Sequence, residues 1–200
     1  MFKDIGTLSR LVKLLGVHIL ITIGLMVSTD IIFELNDFES RVEKRFDENP
    51  LIAILFAVVI APIWEEMVFR YPLKRDTQLW WPIILGIIFL LSFELVTLQI
   101  LMAVFLVSLY LFKTRNSPFI TRFTIGISIL VFGLMHIGNY SVEDIEQMRV
   151  IELISTFLSQ IVAGGVLTFV RLKYSFKYGV IYHSAFNAIF VSIALIAESI

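Results

Sequence analysis

The chain has 200 residues, 58% of them hydrophobic and 16% charged, with a mean hydropathy of +0.89 and a formal charge of -1. A soluble domain runs nearer ~45–50% apolar and ~25% charged, which argues against a water-soluble globular fold, and 18 Phe, 3 Trp and 6 Tyr exclude disorder. The chain has no cysteine, so disulfides, thiolate metal sites and cysteine nucleophiles are excluded, and 16 basic against 17 acidic residues without a basic tract argue against nucleic acid as a partner. The composition is that of an all-α, polytopic transmembrane helix bundle. Residues 1–200 form a single membrane domain with the lipid bilayer as its solvent.

A membrane helix needs ~20 mainly apolar residues to cross a core ~30 Å thick. The first such stretch runs from Leu11 to Leu35. It is too long for a signal peptide and lacks a small-residue cleavage site. The polar segment Asn36 to Asn49 follows, with five acids and three bases, and Pro50 opens the second span, LIAILFAVVIAPIWEEMVFRYPL. Leu79 to Phe112 is then apolar for 34 residues. At ~1.5 Å per residue that is about 51 Å, too long for one upright crossing. Ser92-Phe93-Glu94 interrupts it, so two short spans with a tight turn are expected there. Three more spans are predicted at about Phe119–Gly138, Ile151–Val170 and Tyr178–Ala197, giving about seven.

Charge placement supports that count. With the N-terminus inside, the inner segments hold Lys3, Arg10, Lys13, Arg70, Lys74, Arg75, Lys113, Arg115, Arg122, Arg171, Lys173 and Lys177. The outer segments hold only Arg41, Lys44, Arg45 and Arg149. This asymmetry is the positive-inside pattern and puts the C-terminus outside. The same layout places Glu65 and His183 toward the inner side and His136 toward the outer end of its span.

Charged groups at mid-bilayer cost ~2.5–3.5 kcal/mol on insertion scales, so those that remain are paired or used. The second span holds Glu65, Glu66 and Arg70. Glu66 and Arg70 share a helix face in the favourable i,i+4 order. Glu65 points about 100° away from that face, with Phe69 four residues on, and is the carboxylate left over. His136 ends the apolar run ILVFGLMH, and His183 and Asn187 lie one turn apart in the last span. Together Glu65, His136, His183 and Asn187 supply a base, its orienting partner and oxyanion donors on three helices. His18, in LLGVHILI, has no patterned polar neighbour and reads as a helix-to-helix hydrogen bonder.

Glu65-Glu66-Met67-Val68-Phe69-Arg70 resembles the EExxxR motif of the CPBP family of CAAX proteases and bacteriocin-processing enzymes. Phe132-Gly133-Leu134-Met135-His136 resembles its FxxxH motif, and His183-Ser184-Ala185-Phe186-Asn187 its HxxxN motif. The three stand in the family's order over about residues 52–190. Tyr71-Pro72 follows the motif arginine, where many members carry glycine. The resemblance implies an intramembrane endopeptidase of the glutamate type, similar to the Ras-converting CAAX endopeptidase and acting on a peptide or protein at the membrane. It implies Glu65 and His136 as activators of a water and His183 with Asn187 as the oxyanion site. It also implies Glu66, Arg70 and Phe132 as structural support, and no cofactor. Zinc on Glu65, His136 and His183 is the alternative, weighed against the missing HExxH signature. A non-catalytic peptide-binding or bacteriocin self-immunity protein is the second functional class. A transporter is the third, and it lacks the internal repeat it would need. The expected location is a prokaryotic cell membrane, and substrate and oligomeric state are not legible.

Overall fold

The structure is a computed structural model that describes residues 2–33, 41–92 and 95–198. Among them every regular element is helical. Helix α1 spans Phe2–Phe33, and the short, strongly amphipathic α2 spans Arg41–Glu48. Helix α3 spans Pro50–Leu73, α4 Trp80–Ser92, α5 Val96–Thr114 and α6 Pro118–Met135. Helix α7 spans Val142–Gln147, α8 Val150–Lys173 and α9 Phe176–Glu198. Among the described residues six helices are long and apolar enough to cross a membrane, and α4 is a shorter apolar one. With 13 residues, α4 is about 20 Å long at ~1.5 Å per residue, short of the ~30 Å core.

The turn expected at Ser92-Phe93-Glu94 falls on residues 93–94, which lie outside the described residues, as do Leu35 and the start of the polar segment after it. The two ends of the 79–112 segment nevertheless meet. Arg75 Nη2 donates to the Arg115 carbonyl at 2.9 Å, and Lys113 Nζ donates to the carbonyls of Lys74 and Thr77. The segment therefore goes out and comes back, and α4 packs along α5. Lys74 Nζ reaches the Tyr174 carbonyl at 3.4 Å, so the α8–α9 connection lies at the same end. Three basic connections thus gather on one face of the bundle, as the charge asymmetry requires.

The core lies where α3, α5, α6 and α8 meet. Phe69, Phe105, Phe132, Met102, Leu109 and Leu167 are fully buried there. Phe69 stacks on Phe105 with centroids 5.3 Å apart and meets Phe132 edge-on at 5.8 Å. The outer surface is as apolar as the core: Leu51 is 79% exposed and Phe119 76%, which suits lipid and not water. Without a hydrophobic drive between helices in lipid, close approach depends on small residues. A side chain at Gly133 would overlap Ile161, and one at Gly164 would press on Phe132 and the Ile129 carbonyl. These two glycines let α6 and α8 touch backbone to side chain, and Phe132 is clamped between them and the core.

Candidate active site

Helix α3 is not a uniform α-helix. Its turns Phe56–Ile60 and Glu66–Arg70 are π-turns, in which the Ala61 N–H bonds to Phe56 O and the Tyr71 N–H to Glu66 O. Each is followed by a proline, Pro62 or Pro72. A proline inside a helix has no N–H and its ring collides with the carbonyl four residues back. The extra residue per turn absorbs that conflict, a common cause of π-bulges at functional sites. The second wide turn carries the whole Glu66–Arg70 motif into the core.

Glu66 and Arg70 are both fully buried. Glu66 Oε1 stands 3.5 Å from Arg70 Nη1 and 3.3 Å from His183 Nδ1. The guanidinium lies over the Phe132 ring, 3.6 Å from its centroid. The remaining Glu66 oxygen faces Gly179, where a Cβ would come within 3.0 Å of it. Glu65 is more open, with 16% of its side chain exposed, and its Oε2 lies 3.6 Å from His183 Nε2. The His183 ring thus stands between the two carboxylates, one nitrogen toward each. The 3.6 Å gap exceeds a hydrogen bond, so Glu65 is not locked to His183.

His136 closes α6, and its Nδ1 bonds the Phe132 carbonyl at 2.9 Å. A carbonyl only accepts, so Nδ1 carries the hydrogen and Nε2 is the free position. The ring is half-buried, and the charges of Glu65, His183 and Arg70 all act on it. Phe132 meets His136 at 5.0 Å and His183 at 6.0 Å, both edge-on. Asn187, one turn after His183, donates from Nδ2 to the Ala57 carbonyl at 2.9 Å.

The three motifs therefore meet at one depth, which corrects the layout that put His136 at the opposite side from Glu65 and His183. The reason is axial offset: Ser128 Oγ of α6 donates to the Phe69 carbonyl of α3 at 2.9 Å. Helix α6 thus starts well beyond the end of α3, and the eight residues from Ser128 to His136, about 12 Å of rise, bring its last turn back along α3 to the level of Glu65. Glu65, Glu66, Arg70, Phe132, His136 and His183 share one neighbourhood, with Asn187 tied to the first π-turn beside it. Among the described residues no three His, Cys, Asp or Glu side chains converge as a metal-ligand set.

Two further side chains support the site, of which only Arg171 was not legible in the sequence. Arg171 was assigned to the inner basic rim, but it is 4% exposed and donates to the carbonyls of Arg70 and Tyr71 at 3.1 and 3.0 Å. It caps the motif helix, replacing donors that Pro72 and the short 3₁₀ turn Tyr71–Leu73 do not supply. Its helical spacing from Gly164 was the available signal. His18 is 1% exposed, stacked on Phe186 at 4.2 Å, with Nδ1 3.2 Å from Tyr182 Oη. It braces the back of the His183–Asn187 stripe.

The family model described as Rce1-like, Type II CAAX prenyl endopeptidase Rce1-like, matches residues 47–189, which include every residue of the three motifs. No curated protein and no solved structure matches the chain significantly. The match covers more than two thirds of the chain, its helices are those of a membrane protein, and the protein therefore belongs to the Rce1-like family of CAAX-type membrane proteases.

Proposed function

We propose that this protein is an intramembrane endopeptidase that cleaves membrane-associated substrates, CAAX-like proteins or peptide precursors, by a water activated between Glu65 and His136. The observation that carries this is the fixed tautomer of His136. With Nδ1 committed to Phe132 O, Nε2 keeps a free lone pair, and Phe132 lies edge-on to both His136 and His183, the latter 3.6 Å from Glu65. One proton of the water passes to Glu65, with His136 Nε2 accepting the other O–H, as the oxygen attacks the scissile carbonyl; when the tetrahedral intermediate collapses the C–N bond breaks and that proton goes to the leaving amine. With a hydrogen on each ring nitrogen, one facing Glu66 and one toward the substrate, His183 then donates to the oxyanion together with the second N–H of the Asn187 amide, and Glu66, Arg70 and Phe132 hold His183 in place. The reaction needs no metal. The protein sits in a prokaryotic cell membrane with the N-terminus cytoplasmic and the C-terminus external.

The test uses purified protein in proteoliposomes and an internally quenched farnesylated peptide ending in a CAAX box. Glu65→Ala and His136→Ala should abolish detectable cleavage, since losing a general base costs ~10²–10⁴ in rate. Asn187→Ala should leave weak activity, the loss of one oxyanion donor costing ~10²–10³. EDTA and phenanthroline should leave the wild type active. Activity lost to chelator and restored by zinc would replace the glutamate mechanism by a metal one. Full biological activity of Glu65→Ala would point to a peptide-binding or self-immunity protein. Comparative proteomics of membrane peptides from wild-type and Glu65→Ala cells identifies the natural substrate.

A further inference from the structure

The bond that holds Asn187 exists because of a residue on another helix. In an α-helix the Ala57 carbonyl takes the N–H of Ala61. Here the Ala61 N–H bonds to Phe56 O, one residue further back. If the wide turn simply continued, Ala57 would take the N–H of residue 62. That residue is Pro62, which has none. Ala57 O is therefore passed over by both backbone donors in its reach, in a bundle whose surroundings offer no water to replace them. It is this carbonyl that Asn187 Nδ2 satisfies at 2.9 Å, from a residue 130 positions away in the chain.

We infer that Pro62 is a positioning residue for Asn187: by denying Ala57 O a backbone partner, it makes that carbonyl the anchor that fixes the Asn187 amide at the site. The inference rests on the reading of Asn187 as an oxyanion donor. An asparagine amide has two N–H bonds. Anchoring one to Ala57 O sets the amide plane and aims the other, at no cost in reorganisation when the oxyanion forms. The proline is thereby a feature that weakens its own helix and orders a side chain on another.

This makes an unusual expectation for a proline inside a helix. Pro62→Ala and Pro62→Val both restore an N–H, the second with nearly the volume of proline in a buried position. Either should let the backbone reclaim Ala57 O and release Asn187, while the melting temperature in detergent holds or rises. With the farnesylated peptide, kcat should fall about 10-fold or more, toward the ~10²–10³ loss of Asn187→Ala, with KM unchanged. In the Asn187→Ala background the proline substitution should cost nothing further. Wild-type kcat in both proline variants, or losses that multiply in the double variant, would overturn the inference.

A readout independent of any substrate is the side-chain amide signal in protein labelled with ¹⁵N-asparagine, assigned by its disappearance in Asn187→Ala. Pro62→Ala should move that signal and speed its exchange with solvent; an unmoved signal overturns the lock. Full cleavage by Asn187→Ala would instead remove the oxyanion role itself, and the positioning role with it, whatever the amide signal does.

Discussion

At the scale of single residues, the two adjacent glutamates live in different environments. Glu66 is fully buried between Arg70 and His183, and none of the Arg70 nitrogens has a hydrogen bond among the described residues. That guanidinium depends on the Glu66 charge and on the Phe132 face, a contact worth ~2 kcal/mol or more once water is excluded. Glu66→Gln leaves the Arg70 cation without its counter-charge in a dry site, at a cost of ~3–5 kcal/mol. Glu65 is partly open and stands 3.6 Å from the His183 ring, so Glu65→Gln gives up little. Thermal melting in detergent of the two variants should therefore show Glu66→Gln well below Glu65→Gln. The reverse order would mean that Arg70 is not compensated by Glu66.

At the scale of elements, α1 lies outside the matched residues 47–189 and yet packs on α8 and α9. Leu11 enters the buried core, with Leu14 and Leu15 packed against it, and His18 adds the polar tie to α9. The ring lies flat on Phe186 and its Nδ1 meets Tyr182 Oη, two residues one turn apart on the α9 face adjoining His183 and Asn187. His18→Ala removes a buried ring and strands the tyrosine hydroxyl, an expected loss of ~2–4 kcal/mol. The melting temperature should drop. Cleavage measured well below it should stay near the wild-type rate, because His18 touches neither Glu65 nor His136 through any hydrogen bond seen in the structure. A melting temperature equal to wild type would show that α1 docks by other contacts.

At the scale of the whole molecule, the bundle has a basic end formed by Lys74, Arg75, Lys113 and Arg115. The positive-inside rule predicts that this end is cytoplasmic. Reporter fusions after Ser117 and Tyr174 should read cytoplasmic and one after Glu143 external. A split between Ser117 and Tyr174 would contradict the common end that the loop hydrogen bonds define. The site lies inward of this basic end, where Glu65 and His136 are only partly buried while Glu66, Arg70, Phe132 and His183 are buried.

The helical bundle and its spans were fixed by local chemistry. In lipid every backbone group must be satisfied within its own segment, so an apolar run long enough to cross is a helix whatever its neighbours do. The three motifs, too, were visible as polar residues in apolar runs. The relative axial positions of the helices were not. Whether Phe132 and His136 stand beside His183 depends on where α6 is stopped along α3 and α8, and that is decided by Ser128 on Phe69 O and by the Gly133 and Gly164 contacts. Arg171 reads as one more cation on a basic rim until α8 is docked against the end of α3. Pro62 and Asn187 are equally plain in the sequence, but the bond between their helices is not. A carbonyl orphaned on α3 is a local event, while the donor that finds it is chosen by the packing of α9.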